Sequence, residues 1–500
     1  MKICFLLQRR FAYVGHAMAL IFQKKYGIRE FCGYVYMRSS LEFLKNQKDL
    51  NYSALLLDED IHKSYKKEKL DLEYLAMLEK EYGLPNLWPY ISLDRIIYYN
   101  MHVREYPYNT SHYSHENMMK ILQVTARAII KFLEEEKPDA LIFSVIGGIG
   151  SMFLYQIAKK KKIKTIIIGG TQVKTKYTIT ENYQTFNYIN ETFKKIQCDE
   201  STYLEYKKEA KKILDDFRAS PEPYSATQSI DIKPINRRRH FSFLLPKNII
   251  KSTVWFLKTW FFYFSGNERD DYDTIKPWYE IWDKIKRKIR ILIGFDKFYN
   301  QINFQEKYAF FPLHFEPEIT TLLWAPFYID QLWIIKQIAA SLPLSYKLYV
   351  KEHPSMFGYR HRSFYKELKK IPNIKLVPPS QEGFNLIKNA QIVLTITGTA
   401  GWEALILKKP VITFGDVFYN ELPMVKRCRA IEELPYLIKQ QLENFHYQED
   451  DIINFLAAIH AESVDVDLIQ IWDVEGRGNM EKKEKELIPL VDLIAKKLNL

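Results

Sequence analysis

Short apolar runs alternate with amphipathic segments through the stretch 346–415. The runs are rich in β-branched and aliphatic residues and lie at 346–350, 374–377, 391–397 and 410–414. Runs of this length are typical of buried strands, and segments with helical spacing lie between them. The alternation therefore predicts consecutive βαβ units of a parallel, doubly wound sheet.

The same alternation predicts a first α/β block over 1–211 and a second over 301–445. The segment 212–300 breaks the pattern with a polar stretch and then a run dense in Phe, Trp, Leu and Ile. The residues 446–500 end in a helix rich in Leu and Lys. The sequence thus predicts an α/β fold of two Rossmann-like domains facing a cleft, with a helical insert between them.

Small residues and hydroxyls follow the third apolar run of the central stretch, in the order Thr397-Gly398-Thr399-Ala400-Gly401-Trp402-Glu403. Gly398 and Gly401 would let the backbone approach a ligand, and Thr399 is the predicted N-cap of the next helix. A helix N-terminus attracts anions, so we expect a phosphate here. A strand–turn–helix junction also needs small residues and a cap without any ligand. A carboxylate repels phosphate, so we expect Glu403 to contact sugar hydroxyls; it could instead be a first-turn acid favoured by the dipole.

Two further polar segments are predicted at strand ends of the second block. One is Lys351-Glu352-His353-Pro354, in which the fixed φ of Pro354 ends the strand and holds the imidazole of His353 at its tip. Ligands of doubly wound sheets bind beyond the carboxyl ends of the strands. We therefore expect His353 to donate to an anionic oxygen, with Lys351 nearby. The other segment follows the strand at 308–312 and contains His314 and Glu318.

Composition narrows the classes of partner. The 500 residues carry a net charge of +12, with 47% hydrophobic and 15% aromatic residues. This balance favours anionic partners such as nucleotide-sugars or anionic lipid, and no recognition helix or aromatic RNA-binding signature points to nucleic acid. The four cysteines lack zinc spacing, which fits a reducing cytoplasm, and no metal site is predicted. The acids of 58–60 lie in the first block, away from the expected donor site.

The insert contains a predicted basic amphipathic helix. Its lysines, Lys247, Lys251 and Lys258, lie within about 40° of each other at helical spacing, opposite a wide aromatic face. With the arginines at 237–239, this pattern predicts that 237–264 contacts the anionic inner face of a cytoplasmic membrane, with Trp255 and Trp260 at headgroup depth. The alternative is a helix packed between the two domains. No apolar run is long enough to predict a membrane span.

The motifs at 351–354 and 397–411 resemble the nucleotide-binding half of GT-B glycosyltransferases. More narrowly, they resemble the bacterial capsule polysaccharide biosynthesis family, which includes Kdo transferases. His353 and Pro354 match an HP motif that commonly binds CMP in GT-B enzymes that use CMP-sugars. Thr397 and Thr399 stand where serines are often found. Gly401, Glu403 and the strand from 409 also match a broader GT-B pattern that occurs with UDP-sugars.

The resemblance implies a metal-independent glycosyltransferase with no cofactor other than its nucleotide-sugar donor, CMP-sugar favoured over UDP-sugar. The acceptor would be a surface polysaccharide or glycolipid. The resemblance places the acceptor in the domain 1–211 and the donor in the domain 301–445. It also implies that 446–500 packs back across the junction of these two domains. The implied catalytic residues are His353, Glu318 and His314. The implied donor-binding residues are Lys351, His353, Pro354, Thr397, Gly398, Thr399, Ala400, Gly401 and Glu403.

Two other functions fit parts of the sequence. One is a nucleotide-sugar epimerase of GT-B fold, which would leave the basic aromatic insert unexplained. The other is a non-catalytic, membrane-associated scaffold of a capsule assembly complex. The general base, the sugar and the acceptor are not identified by the sequence.

Overall fold

The computed structural model describes residues 1–100, 111–173, 175–199, 201–221, 241, 245–265, 277–468, 470–471 and 480–500. The arginines predicted to contact a membrane, at 237–239, lie outside these residues. The chain forms two compact units. The first comprises Met1–Asp94, Tyr113–Gln228 and Gln448–Leu500, and the second comprises Arg95–His112 and Ser229–Tyr447.

The described residues form thirteen strands in two sheets. In chain order the strands are β1 (Lys2–Leu7), β2 (Glu30–Val35), β3 (Tyr52–Leu57), β4 (Ala140–Phe143), β5 (Lys164–Gly170), β6 (Lys176–Thr180), β7 (Tyr308–Pro312), β8 (Lys347–Lys351), β9 (Ile374–Val377), β10 (Ile392–Thr395), β11 (Val411–Thr413), β12 (Val425–Arg427) and β13 (Ser463–Asp465).

Nineteen α-helices accompany them in the described residues. In chain order the helices are α1 (Phe11–Tyr26), α2 (Arg38–Lys45), α3 (Asp58–Ser64), α4 (Leu72–Tyr82), α5 (Trp88–Leu93), α6 (His115–Glu136), α7 (Ile149–Lys160), α8 (Asn187–Cys198), α9 (Leu204–Ala219), α10 (Pro246–Ser265), α11 (Pro277–Ile293), α12 (Ile319–Trp324), α13 (Gln331–Ser341), α14 (Arg362–Lys369), α15 (Gly383–Asn389), α16 (Thr399–Ile406), α17 (Leu434–Glu443), α18 (Glu449–Ala461) and α19 (Met480–Leu498). Every one of these helices is too short or too polar to cross a bilayer.

The sheet of the second unit is parallel throughout, with the strand order β12-β11-β10-β7-β8-β9. From β7 the chain adds β8 and then β9 on one side. It then crosses back and adds β10, β11 and β12 on the other side of β7. This is the doubly wound Rossmann order, and its switch point lies between β7 and β10. Buried aliphatic side chains of these strands form one core with α13 and α14.

The sheet of the first unit has the order β13-β6-β5-β4-β1-β2-β3. Its five strands from β5 to β3 are parallel and follow the same Rossmann order. At the other edge, β6 runs antiparallel to β5, and β13 runs antiparallel to β6. The prediction of two Rossmann-like α/β domains is therefore confirmed, and the structure adds a mixed edge that the sequence did not predict.

The C-terminal helix α19 completes the core of the first unit. Its residues Leu487, Leu490, Val491 and Ile494 are fully buried in the cluster that also contains side chains of β1 and α1. Lys25 forms an ion pair with Asp492 at 2.6 Å, at the edge of this contact. Since each fully buried aliphatic side chain contributes about 1.5–3 kcal/mol, α19 is a structural part of this unit rather than an appendage.

Candidate functional site

His314 joins the two strands at the switch point of the second sheet. It follows β7, and its Nε2 accepts a hydrogen bond of 3.1 Å from the backbone N–H of Thr397, which follows β10. The Thr395 hydroxyl lies 3.4 Å from the same nitrogen. The side-chain amide of Gln331 binds both the N–H and the carbonyl of His314, at 2.7 and 3.2 Å. In this geometry His314 holds the loop after β10 against β7.

The imidazole of His314 is neutral at physiological pH. Burial lowers its pKa to about 3, and the nearby His353 and Arg360 add to the effect, while the Pro312 carbonyl opposes it. Because Nε2 accepts from Thr397, the single ring proton resides on Nδ1. We therefore assign the tautomer of His314 from its hydrogen bond to the loop.

A fully buried guanidinium holds the segment around His314 in place. Arg360 is completely inaccessible to solvent and forms ion pairs with the buried carboxylates of Glu316 and Glu352. It also donates to the carbonyl of His314. Removing one member of such a buried network leaves an uncompensated charge, which costs about 3–5 kcal/mol. Arg360 thus fixes the strand-end segments after β7 and β8 relative to each other.

His353 follows β8 and is partly exposed. Its Nδ1 accepts a 3.2 Å hydrogen bond from the N–H of Ser355 and so caps the short 3-10 turn that begins at Pro354. The proton of the neutral ring is then on Nε2, which leaves Nε2–H as the donor. Burial, followed by the charges of Lys351 and Arg360, lowers the pKa of His353 to about 4. At neutral pH the side chain is an uncharged donor.

The loop between β10 and α16 is packed tightly against its own neighbours. Gly398, rather than the predicted Thr399, is the N-cap of α16, and the Gly398 N–H donates to the Thr395 hydroxyl at 3.0 Å. The Tyr419 hydroxyl donates to the Gly398 carbonyl at 2.6 Å. A Cβ on Gly398 would lie 2.7 Å from Thr395 Oγ1, and one on Gly401 would lie 2.3 Å from Tyr419 Oη. At both positions the close approach that we predicted for a ligand is an approach to protein atoms.

Thr397 presents a buried hydroxyl with an unmet hydrogen-bonding capacity. The residue is only 6% exposed, and its Oγ1 has no hydrogen-bond partner among the described residues. Such groups are rare in folded proteins because a buried hydroxyl without a partner costs about 1–3 kcal/mol. This hydroxyl lies at the switch point, immediately before the N-terminus of α16. It is therefore suited to meet a ligand atom.

Besides the two histidines, Lys351 and Glu403 near these loops also have shifted pKa values. Burial lowers the pKa of Lys351 to about 8, against the opposing charges of Glu352 and Glu403. Burial raises the pKa of Glu403 to about 7, against a hydrogen bond with Thr399 and the charge of Lys351. Both groups therefore titrate close to neutral pH, and each favours the charged form of the other.

Glu318 is a second carboxyl group with a raised pKa. Burial raises this pKa to about 7, against a hydrogen bond with Thr320 and the charge of Arg95. Glu318 is the N-cap residue of α12, but its side chain makes no capping hydrogen bond. A carboxyl group that titrates near pH 7 can accept or release a proton under physiological conditions.

The structure thus brings His314, Thr397 and Gly398 into direct contact, with Thr399 in contact with Glu403. Ala400 lies in the first turn of α16, and Pro354 in the 3-10 turn after β8. The sequence analysis missed Arg360, Gln331, Thr395 and Tyr419, which hold the loops. Among the described residues there is no group of three or more His, Cys, Asp or Glu side chains suited to a metal ion.

The first unit also has a glycine-rich loop, at 147–150, and backbone N–H groups of this loop already donate to protein atoms. The N–H groups of Gly147 and Gly148 donate to Ser151 Oγ at 3.0 and 3.1 Å. The N–H of Ile149 donates to the buried carboxylate of Asp94 at 3.2 Å. Since a carboxylate occupies the N-terminus of α7, this loop is not arranged to bind a phosphate.

Comparisons with known proteins give one family and several solved structures. The model of the family described as "Capsule polysaccharide biosynthesis protein" matches residues 329–426, which is less than half of the chain. The matched segment contains Lys351, His353 and the loop 397–403. No curated protein matches the sequence significantly.

Among the solved structures, the chain is similar to two KpsC enzymes of Thermosulfurimonas dismutans. The beta Kdo 2,7 transferase is 12% identical over 73% of this chain and 89% of that chain, with a TM-score of 0.32. The beta Kdo 2,4 transferase is 12% identical over 65% and 80%, with a TM-score of 0.34. The UDP-GlcNAc 2-epimerase of Neisseria meningitidis is 12% identical over 99% and 100%, with a TM-score of 0.28. The resemblance to the capsule polysaccharide biosynthesis family is confirmed for residues 329–426 by the family match.

Proposed function

We propose that the protein is a glycosyltransferase of capsule polysaccharide synthesis that binds the nucleotide of its sugar donor at the carboxyl edge of the second sheet. The proposal rests on two hydrogen-bonding side chains at that edge, those of Thr397 and His353. The buried Oγ1 of Thr397 has no partner in the described protein, and His353 directs its proton to Nε2. Both belong to the segment that matches the capsule family.

The reaction breaks the bond between the sugar and a nucleotide phosphate, and negative charge develops on the leaving phosphate. In this proposal His353 Nε2–H, the Thr397 hydroxyl and the N-terminus of α16 donate to that phosphate, and Lys351 contributes positive charge. Fixed donors of this kind stabilise a transition state because they need no reorganisation. We propose that these groups make the transfer independent of a metal ion.

Glu318 is our candidate for a proton-transferring group in the second unit. Its raised pKa of about 7 leaves a substantial ionised fraction at neutral pH. The ionised carboxylate could take the proton of an acceptor hydroxyl, and the neutral form could return it. His314 has a different part in the proposal, because its Nε2 is bound to the Thr397 N–H and so positions the loop.

We propose CMP as the nucleotide, with a CMP-activated acid sugar such as CMP-Kdo as the donor. The support is the resemblance of His353-Pro354 and of the hydroxyls at Thr397 and Thr399 to the family motifs. A polysaccharide or glycolipid of the cell envelope is the proposed acceptor. We propose that the protein works in the cytoplasm, at the inner face of the membrane.

Thermal denaturation with equal concentrations of CMP and UDP tests the nucleotide. A ligand that binds the folded state alone raises the Tm, and it stabilises by about 2.7 kcal/mol at a hundredfold excess over its Kd. We expect a larger rise with CMP. A larger rise with UDP would reject the CMP donor, and no rise with either would favour a non-catalytic scaffold.

Incubation with the donor then tests the reaction. We expect transfer only when an envelope glycan acceptor is present, with release of the nucleotide. Conversion of a nucleotide-sugar into its epimer without any acceptor would reject the transferase in favour of an epimerase.

A further inference from the structure

Helix α11 carries an exposed apolar stripe along its whole length. The stripe consists of Trp278, Trp282, Ile285, Ile289 and Ile293, which are spaced by three or four residues. At 100° per residue these side chains lie within an arc of about 80°. All five are exposed, from 40% at Trp278 to 61% at Ile293. Aromatic and aliphatic groups on one face at this spacing are typical of a helix that rests on an apolar surface.

Helix α10 exposes a still wider apolar face. Its exposed side chains lie within an arc of about 160° and include Ile250, Leu257 and Phe261, the last of which is 68% exposed. The ring of Trp278 lies 6.2 Å from that of Trp260 and 5.5 Å from that of Tyr263. These ring contacts join the apolar side chains of α10 to the first residue of the stripe on α11. We refer to the exposed apolar side chains of α10 and α11 together as the apolar face.

Basic residues border this apolar face. The helices α10 and α11 contain six lysines and only two acidic residues, Glu280 and Asp283. On α10 the three lysines occupy a narrow sector beside the apolar arc, and α10 contains no acidic residue. On α11 Lys286 and Lys288 flank the stripe on opposite sides. A wide apolar face bordered by lysines is the pattern of helices that lie in the headgroup region of a membrane.

The opposite side of α11 is fastened to the second unit. Arg287 donates to the hydroxyl of Tyr359 at 2.6 Å and stacks on its ring at 4.2 Å. Arg290 donates to the carbonyl of Tyr359 at 2.8 Å. Ile291 is buried against Gly358, where a Cβ would lie 2.8 Å from its Cγ1. The helix therefore has one face that is held by the protein and another that is directed to the surroundings.

We propose that α10 and α11 dock the protein on an anionic lipid bilayer, with the apolar face at the level of the acyl-chain boundary and the flanking lysines at the phosphates. This extends the contact predicted for 237–264 to a second helix, α11, in the same insert 212–300. The proposal does not depend on sugar transfer, because it follows from the exposure and charge of two helices alone.

Charge favours a bilayer over a second copy of the chain. A symmetric dimer through this face would bring two strongly basic surfaces together, and like charges without partners oppose association. An anionic bilayer supplies the complementary charge and also receives the apolar side chains. Tryptophans such as Trp278 and Trp282 are favoured at the membrane–water interface, whereas β-branched isoleucines enter the apolar layer below.

Flotation with lipid vesicles tests the proposal on the full chain. We expect wild-type protein to bind vesicles of equal parts phosphatidylglycerol and phosphatidylcholine, and to bind pure phosphatidylcholine much more weakly. The triple variant Leu257→Gln, Phe261→Gln and Trp282→Gln should lose roughly tenfold or more of its partitioning into the anionic vesicles. Added salt should weaken the wild-type binding, because it screens the lysines.

A matched control replaces three apolar side chains elsewhere in the second unit that are even more exposed, by Phe327→Gln, Leu344→Gln and Tyr436→Gln. This control should bind vesicles as the wild type does, and both triple variants should keep the wild-type Tm. Failure of the wild type to bind anionic vesicles would overturn the proposal, as would full binding by the α10–α11 variant. Self-association that needs Leu257, Phe261 and Trp282, without vesicle binding, would identify a second copy as the occupant.

Discussion

Removing the hydroxyl of Thr397 should affect the stability of the protein and its ligand binding in different ways. Its Oγ1 is buried without a partner in the described residues. Thr397→Val keeps the shape and removes the unmet group, so we expect the free energy of unfolding in urea to stay the same or to rise by up to about 1 kcal/mol. The affinity for CMP, measured by calorimetry, should fall about five- to tenfold.

Thr397→Ser is the matched control because it keeps the hydroxyl. We expect it to bind CMP within about threefold of the wild type and to lose about 1 kcal/mol of stability with the deleted methyl group. If Thr397→Val bound CMP as tightly as the wild type, the hydroxyl would have no part in the site.

Glu403 gives a prediction about pH. Its pKa is raised from 4.5 to about 7 in the folded protein. Between these values the unfolded chain has lost its proton while the folded protein retains it, so this group makes stability fall as pH rises from about 4.5 to 7. Glu403→Gln has no carboxyl group to ionise, so the variant does not lose stability in this way as pH rises. We expect the variant to be more stable than the wild type at pH 8 by roughly 1–3 kcal/mol.

Urea unfolding of Glu403→Gln and wild type at pH 4 and pH 8 measures this difference. At pH 4 the Glu403 carboxyl is mostly protonated in both the folded and the unfolded state, so the two proteins should be about equally stable. A variant that is less stable at pH 8 would mean that the ionised carboxylate is held by Lys351 more strongly than burial opposes it.

The residues of the site divide into those that local sequence could predict and those that it could not. The position of His353 and Thr397 was predictable because each closely follows an apolar strand, and a parallel sheet gathers such positions at one edge. Arg360 was not, because it lies in a loop and its partners Glu316 and Glu352 come from two other strand ends. A buried ion network of this kind has no local pattern in the chain.

At the scale of the element, the loop between β10 and α16 is a close-packed unit with Tyr419. A Cβ on Gly401 would lie 2.3 Å from Tyr419 Oη and 3.0 Å from Thr395 Cγ2. We expect Gly401→Ala to displace the Tyr419 hydroxyl from the Gly398 carbonyl, to destabilise the protein by about 1–3 kcal/mol and to weaken CMP binding.

Gly383→Ala is the control for that experiment. Gly383 is the first residue of α15, and nothing lies within 4 Å of its added Cβ. We expect it to be neutral or to stabilise by about 0.4–1 kcal/mol, with unchanged CMP binding. Equal effects of the two glycine substitutions, in the Tm and in calorimetry, would contradict the packing account of the loop.

Strands and helices of the parallel sheets were predictable to within a few residues, because their apolar runs are continuous. The predicted strand 374–377 agrees with β9, and the strand 308–312 agrees with β7. The strands β6, β12 and β13 were missed. Each is short and lies at or near the edge of its sheet, so only tertiary pairing reveals that β12 extends the second sheet and that β6 and β13 extend the first.

At the scale of the whole molecule, the first unit depends on the C-terminal helix. Leu490 of α19 is fully buried in the same core as β1 and α1. We expect Leu490→Ala to destabilise this unit by about 2–5 kcal/mol through the cavity it leaves. Hydrogen exchange should therefore become faster in β1 and α1. Leu500→Ala, at an exposed position after the same helix, should change stability by less than about 0.5 kcal/mol.

If hydrogen exchange in β1 and α1 were as slow in Leu490→Ala as in the wild type, this result would contradict the assignment of α19 to the first unit. The sequence predicted an α/β fold with a helical C-terminus. It could not assign 448–500 to the first unit from local pattern alone, because α19 packs chiefly against α1, which lies more than four hundred positions earlier.

The central claim is that the carboxyl edge of the second sheet binds the nucleotide, and calorimetric titration of CMP into wild type, His353→Ala and His361→Ala tests it most directly. Both histidines accept a backbone N–H through Nδ1, from Ser355 and Ser363 respectively, so the two variants lose the same kind of cap. We expect His353→Ala to bind CMP at least about tenfold more weakly, because a hydrogen bond to a charged group contributes about 1.5–3 kcal/mol. His361→Ala should bind as the wild type does. Full CMP affinity in His353→Ala would contradict the account.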